Sequence, residues 1–439
     1  MIFTFISFAF CVGPIFDAPG ITSSNLYSTI TKPENFPLCS NFTKSKTQIW
    51  PFPSRSKDVI NCISTLLETE AFENGTVQSP DGVIIETDPI IKQESPYFKD
   101  FDNVFYVSYN WVHYYTGINE TFQTLKDRIE KEVEATPNHD KAFISGYSLG
   151  GNFVRYFLTH FVDEEWKSKY IEGAMFFVPG VGGAFSSPTF VATNQFLGPK
   201  DSLTFSRHMP SLYSMFPNFP ANKDVAIING KHIDASQIFE EMIKASEFSK
   251  SEKLILKNKN LNDEVEIEII VDETMKTLYK LHLPYLEEEI GDPNVRSLIV
   301  FNSGIPVICG VNSTQTSHNK FEYEIYNCGG DGVMPSRGAE YASKHWKNVK
   351  FHDFNTTDRK YDHSGIKFTE ELKKLAKDFI LNKDSSDIKI SDKLKLIIFC
   401  SAAGAFVIII IIIIIIVVVR NKKKEKNQPL STLSKLIDN

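Results

Sequence analysis

The chain has 439 residues, 42% of them hydrophobic and 13% aromatic, which excludes a disordered polymer and is enough for one large folded core or two ordinary ones. A net charge of −7 gives no basic surface for nucleic acid. At the N-terminus, residues 1–12 carry the apolar run "MIFTFISFAFCV", of the length expected for a signal segment, although no Lys or Arg precedes it.

Next comes "GPIFDAPGITSSNL", a short apolar strand ending at Pro19-Gly20, with Ile21 opening a loop whose N–H groups can face a neighbouring site. Residues 36–98 are rich in Pro and Ser and predict an insertion. Residues 103–109 ("NVFYVSY") predict a buried strand. Over residues 119–135, Phe122, Leu125, Ile129 and Val133 recur at helical spacing. "KAFISG" predicts another strand, "GGNFVRYFLTHF" a helix and "GAMFFVPG" a further strand. Strand–helix alternation of this kind implies a mostly parallel sheet covered on both faces. It breaks over residues 184–290, a second insertion with the character of a cap. It is expected to resume with "IPVICGV", "FEYEIYN", "NVKFHDF" and a last helix, "GIKFTEELKKLAKDFIL".

The C-terminus has its own logic. After a polar stalk at 382–395, residues 396–419 contain no charged side chain. As a helix this segment spans about 36 Å, against a bilayer core of about 30 Å. "RNKKKEK" follows at once, so the positive-inside rule predicts that the tail, 420–439, is cytosolic. The body, 13–381, is then extracellular or lumenal, the arrangement of a single-pass type I membrane protein. Cysteine use fits that compartment. Setting aside Cys11 in the signal segment and Cys400 in the span, four remain. Cys39–Cys62 with Cys309–Cys328 is the nearest-neighbour choice among three pairings. No C-x-x-C occurs, so neither a metal nor another cofactor is implied. Glycan sequons at Asn41, Asn74, Asn119, Asn312 and Asn355 all precede the span.

The chemistry centres on "SGYSLGG". Gly146-x-Ser148-x-Gly150 lies between a predicted strand and a predicted helix, the pattern of a nucleophile elbow. A serine there takes a strained backbone and crowds the residues two before and two after it, which glycines relieve. An acid and a histidine must follow in chain order. Asp331, in "NCGGDGVMPSRG", sits in a glycine-rich loop after a strand. His363, in "YDHSGI", sits in a loop that opens onto a helix. Its rivals His345 and His352 fall within a predicted helix and a predicted strand.

In this order and spacing the motifs resemble the lecithin:cholesterol acyltransferase family, over residues 13–381. The resemblance implies an α/β-hydrolase fold with cap and membrane-binding insertions, to which the C-terminal span is added. It also implies a Ser148–Asp331–His363 triad and an oxyanion hole from the Ile21 and Leu149 N–H groups. "LCSNF", "IWPF" and "NC" are similar to the family's disulfide-closed membrane-binding loop, which implies a Cys39–Cys62 bridge and a lipid-exposed Trp50. "YNWVHYY" is similar to its Tyr-Asp-Trp segment, implying that Trp111 lies at the substrate, and "VPGVGGAF" to its Ala-Pro-x-Gly-Gly turn. Residues 205–217 match its lid segment through Arg207 and Pro217. Asn110 and Tyr147 depart from the family's usual aspartate and histidine. The expected activity is acyl transfer from a glycerophospholipid membrane to water or a lipid alcohol. The alternatives are a catalytically silent adhesion or receptor ectodomain, or a general carboxylesterase.

Overall fold

The computed structural model describes residues 12–40, 42, 46–196, 204–259 and 264–382. Apart from Val12 and Asn382, the expected signal segment, stalk, membrane span and cytosolic tail lie outside these, as does the Asn41 sequon. No helix among the described residues is long and apolar enough to cross a membrane. All the elements below belong to one unit, residues 1–381.

Runs of β-branched and aromatic residues build a seven-stranded central sheet: β1 (Ile15–Ala18), β2 (Ile91–Lys92), β3 (Val104–Tyr106), β4 (Ala142–Tyr147), β5 (Ile171–Phe177), β6 (Ser297–Phe301) and β7 (Val349–Asp353), in the order β7-β6-β5-β4-β1-β3-β2. Every pairing is parallel except that of the edge strand β2 with β3. Period-two alternation sorts the side chains into two cores. Phe16, Phe105, Ile144, Phe176 and Ile299 enter one, and their neighbours Ile15, Val104, Phe143, Met175 and Leu298 enter the other. Helices cover both faces: α1 (Asn119–Ala135), α2 (Leu149–Tyr156) and α3 (Arg337–His345) pack into the first core, α4 (Glu370–Ile380) into the second. α1 has the bounds its periodicity predicts and buries Phe122, Leu125, Ile129 and Val133, each contributing about 1.5–3 kcal/mol.

Both insertions are present. The first joins β1 to β2 and holds an antiparallel sheet of Thr47–Trp50, Leu26–Ile30 and Val83–Thr87, so it starts some ten residues earlier than composition suggested. Its Cys39 and Cys62 are bonded, Cα atoms 5.1 Å apart. The second joins β5 to β6 and, among its described residues, carries four α-helices, Ser186–Thr193, Pro210–Ser214, Ile238–Ser249 and Glu273–Glu287, with four short strands.

One expectation is corrected. The strands over "IPVICGV" and "FEYEIYN" do not resume the central sheet. They form a long antiparallel hairpin, Ile305–Ser317 with Lys320–Gly330, inside a six-stranded sheet shared with the strands of the second insertion. The reason is visible in "FEYEIYN": Glu322 and Glu324 alternate with Phe321, Tyr323 and Ile325, so this strand cannot be buried on both faces as a central strand must be. The Cys309–Cys328 bond closes the hairpin, Cα atoms 5.7 Å apart.

Candidate active site

Ser148 stands where β4 hands over to α2. Its backbone lies at φ 56°, ψ −122°, a region that costs a non-glycine residue about 1–3 kcal/mol. Neighbouring strands and turns hold it there. Its N–H donates to Phe177 O (3.0 Å), and its carbonyl accepts from Gly151 N (2.9 Å) and Gly180 N (2.9 Å). The flanking glycines are sterically required. A Cβ on Gly146 would lie 2.2 Å from Gly150 O, and one on Gly150 would lie 2.1 Å from Ala18 O.

The other two predicted residues meet it. His363 Nε2 is 2.9 Å from Ser148 Oγ, and His363 Nδ1 is 2.7 Å from Asp331 Oδ2. Facing a carboxylate, Nδ1 carries the proton, which leaves Nε2 to accept the serine hydroxyl. Asp331 is 2% exposed. Its other oxygen, Oδ1, accepts from Val333 N (3.0 Å) and Met334 N (2.7 Å). The rival histidines lie elsewhere: His345 bonds its own helix at Tyr341 O, and His352 packs edge-on to Phe354.

The strand end Pro19-Gly20 abuts Ser148, since a Cβ on Gly20 would sit 3.1 Å from Ser148 Cβ. Buried Tyr109 donates its hydroxyl to Pro19 O (2.8 Å) and fixes this approach. Gly20 O accepts from Ser23 N (3.2 Å), which points the Ile21 N–H of the same trans peptide the opposite way. Leu149 is the first residue of α2, whose N-terminal N–H groups lack intrahelical partners. Asn110 Oδ1 accepts from the Val112 and His113 N–H groups.

The two tryptophans are held differently from one another. Trp50 is half-buried. Leu26 pairs with Trp50, which turns the indole inward to donate to Thr22 O (2.5 Å) and to pack edge-on against Trp111. Trp111 is itself fully buried, its N–H on Ser24 O (3.1 Å), so it is a core residue. The exposed apolar side chain beside the Cys39–Cys62 bond is Leu38, 63% exposed.

Two clusters escaped sequence reasoning. Asp17 on β1 is buried and accepts from Tyr97 (2.8 Å) and Ser145 (2.6 Å) hydroxyls. Burial outweighs these bonds and pushes its carboxyl up to about 6. A lone acid in the apolar strand "PIFDAPG" was the available signal. Within residues 205–217, His208 bridges two carboxylates, Nδ1 to Glu68 Oε1 (2.8 Å) and Nε2 to Asp272 Oδ2 (2.7 Å). Burial opposes its charge, but the bonds from Asp272 and then Glu68 prevail and raise the imidazole to about 9. These partners lie 140 and 64 residues away, so nothing local marks them.

Comparison with known proteins adds a family. Residues 96–296, which include Ser148 but neither Asp331 nor His363, match the lecithin:cholesterol acyltransferase family. This supports an acyl-transferring enzyme of lipid acyltransferase or esterase type. No curated protein matches the chain. Among solved structures, the Tle4–Tli4 complex aligns over 85% of this chain and 98% of its own, at 11% identity and a TM-score of 0.50, a likeness of fold alone. A rice cell wall degrading esterase, LipA from Xanthomonas oryzae, aligns over 72% and 89% at 9% identity and a TM-score of 0.31. The Vlm2 thioesterase domain aligns over 64% and 84% at 10% and 0.26.

Proposed function

We propose that this member of the lecithin:cholesterol acyltransferase family moves acyl groups from glycerophospholipids through a covalent acyl-serine, with its body held on the extracellular or lumenal side of a membrane. The observation that carries the proposal is the unbroken line Ser148 Oγ–His363–Asp331, at 2.9 and 2.7 Å. His363 Nε2 takes the hydroxyl proton as Oγ attacks an ester carbonyl carbon. The oxyanion is received by the Ile21 and Leu149 N–H groups, each worth roughly 3 kcal/mol. Collapse expels the lysolipid alkoxide, which takes the proton from His363. Water or a lipid alcohol then gives His363 a proton, attacks the acyl-serine and restores Ser148. Asp331 holds the imidazole tautomer and stabilises its positive charge in both halves. The two disulfides support an oxidising compartment.

The test is the full chain on phosphatidylcholine vesicles, with and without a long-chain alcohol. Free fatty acid alone identifies a hydrolase, and acylated alcohol identifies a transferase. If neither forms, and Ser148→Ala takes up a fluorophosphonate as the parent does, the reading is wrong.

A further inference from the structure

Tyr147 stands next to the nucleophile at the end of β4, 8% exposed, where the family usually has histidine. Its hydroxyl donates to the backbone carbonyl of His363. The phenol lies edge-on to the imidazole, ring centres 5.8 Å apart. His363 N–H, in turn, donates to Asp331 O (2.9 Å). Both backbone groups of this histidine are therefore tied into the site, one to the acid's residue and one to the nucleophile's neighbour. The rest of its loop is secured separately. Asn302 Nδ2 donates to Thr356 O and Tyr361 O, and Asp362 Oδ1 accepts from Ser364 N and Gly365 N.

The tyrosine is braced from behind. Its ring stacks on Tyr97 (6.2 Å, 15° between planes), whose hydroxyl donates to Asp17 on β1. A line of contacts from Asp17 through Tyr97 and Tyr147 thus reaches His363 independently of Asp331. Burial keeps the Tyr147 phenol protonated, so it stays a donor across the working pH range.

We propose that Tyr147 is a positioning residue for the general base, its hydroxyl holding the His363 backbone so that Nε2 stays on Ser148 Oγ. The proposal rests on the acyl-transfer reading above. Small errors in the placement of a reacting group lower turnover steeply while leaving ground-state binding nearly alone.

The experiment compares full-length parent, Tyr147→Phe and Ser148→Ala in detergent micelles with p-nitrophenyl butyrate. The same proteins are measured for thermal unfolding and for amide exchange over residues 361–366. Removing only the hydroxyl is expected to lower kcat roughly ten-fold with KM unchanged, to quicken exchange in that segment and to leave the unfolding midpoint where it was. A kcat equal to the parent's overturns the positioning role. So does a fall in kcat that merely follows a fall in the unfolding midpoint, since that is lost structure. A parent as inactive and as unreactive to fluorophosphonate as Ser148→Ala overturns the acyl-transfer reading, and this proposal with it.

Discussion

At the scale of single residues, the elbow was readable because its requirement is steric and local. Gly146 and Gly150 are spaced by a clash that any side chain would make, and that spacing survives in the sequence as a pattern. Asp331 and His363 were readable by order and context, each in a loop outside a regular element. The bracing of His363 was not, because Tyr147, Tyr97 and Asp17 come together only through the sheet. The proposed triad makes a prediction at this scale. Asp331→Asn keeps the shape of the side chain and one acceptor, but can turn its amide toward Nδ1 and hold the imidazole in the wrong tautomer. Turnover is expected to fall roughly 10⁴-fold, while the Val333 and Met334 N–H bonds preserve the loop and the stability. Single-turnover kinetics of acyl-enzyme formation measure this. A loss below ten-fold would remove Asp331 from the mechanism.

Elements of the central sheet were legible where both faces are buried, since an apolar run between turn residues has few other uses. "KAFISG" and "GAMFFVPG" became β4 and β5 on that ground. The hairpin at 305–330 was misassigned because a strand's sheet is decided by its partners, and half of these lie in the second insertion. Trp111 was misread for a related reason: its burial depends on packing against the first insertion, the half-buried Trp50 included. The segment 205–217 carries the pH prediction. His208 joins it to the first insertion at Glu68 and to the second insertion's Glu273–Glu287 helix at its N-cap, Asp272. Burial works against the Asp272 carboxylate, but the hydrogen bonds from His208 and then from Met275 N–H, with the His208 charge and lastly that of neighbouring Arg207, hold its carboxyl down. A histidine raised from 6.5 to about 9 contributes stability that is complete below pH 6.5 and is lost as pH rises through 9. The loss amounts to about 3 kcal/mol. His208→Gln can still hydrogen-bond but carries no charge. Its unfolding free energy should therefore converge on that of the parent between pH 6.5 and 9. Parallel curves across that interval would show that the imidazolium contributes nothing.

For the whole molecule, the proposed action on membrane lipid makes a prediction. The described unit ends in α4, and the apolar segment at 396–419 follows within about fifteen residues by the sequence. On the anchoring proposed above, the polar stalk acts as a tether between body and bilayer. Collision with vesicles is then replaced by an intramolecular encounter, at an effective concentration set by the tether. The consequence is specific to the substrate used. A chain ending at residue 382 should hydrolyse p-nitrophenyl butyrate at the parental rate, because that ester reaches Ser148 from solution. On phosphatidylcholine vesicles the full chain, reconstituted into them, should hold its specific rate on dilution, whereas the truncated chain should lose rate roughly in proportion to lipid concentration. Equal dilution behaviour of the two would mean that residues 383–439 do not present this site to lipid. In that case exposed side chains of the body, such as Leu38 beside the first disulfide, would have to make the contact instead.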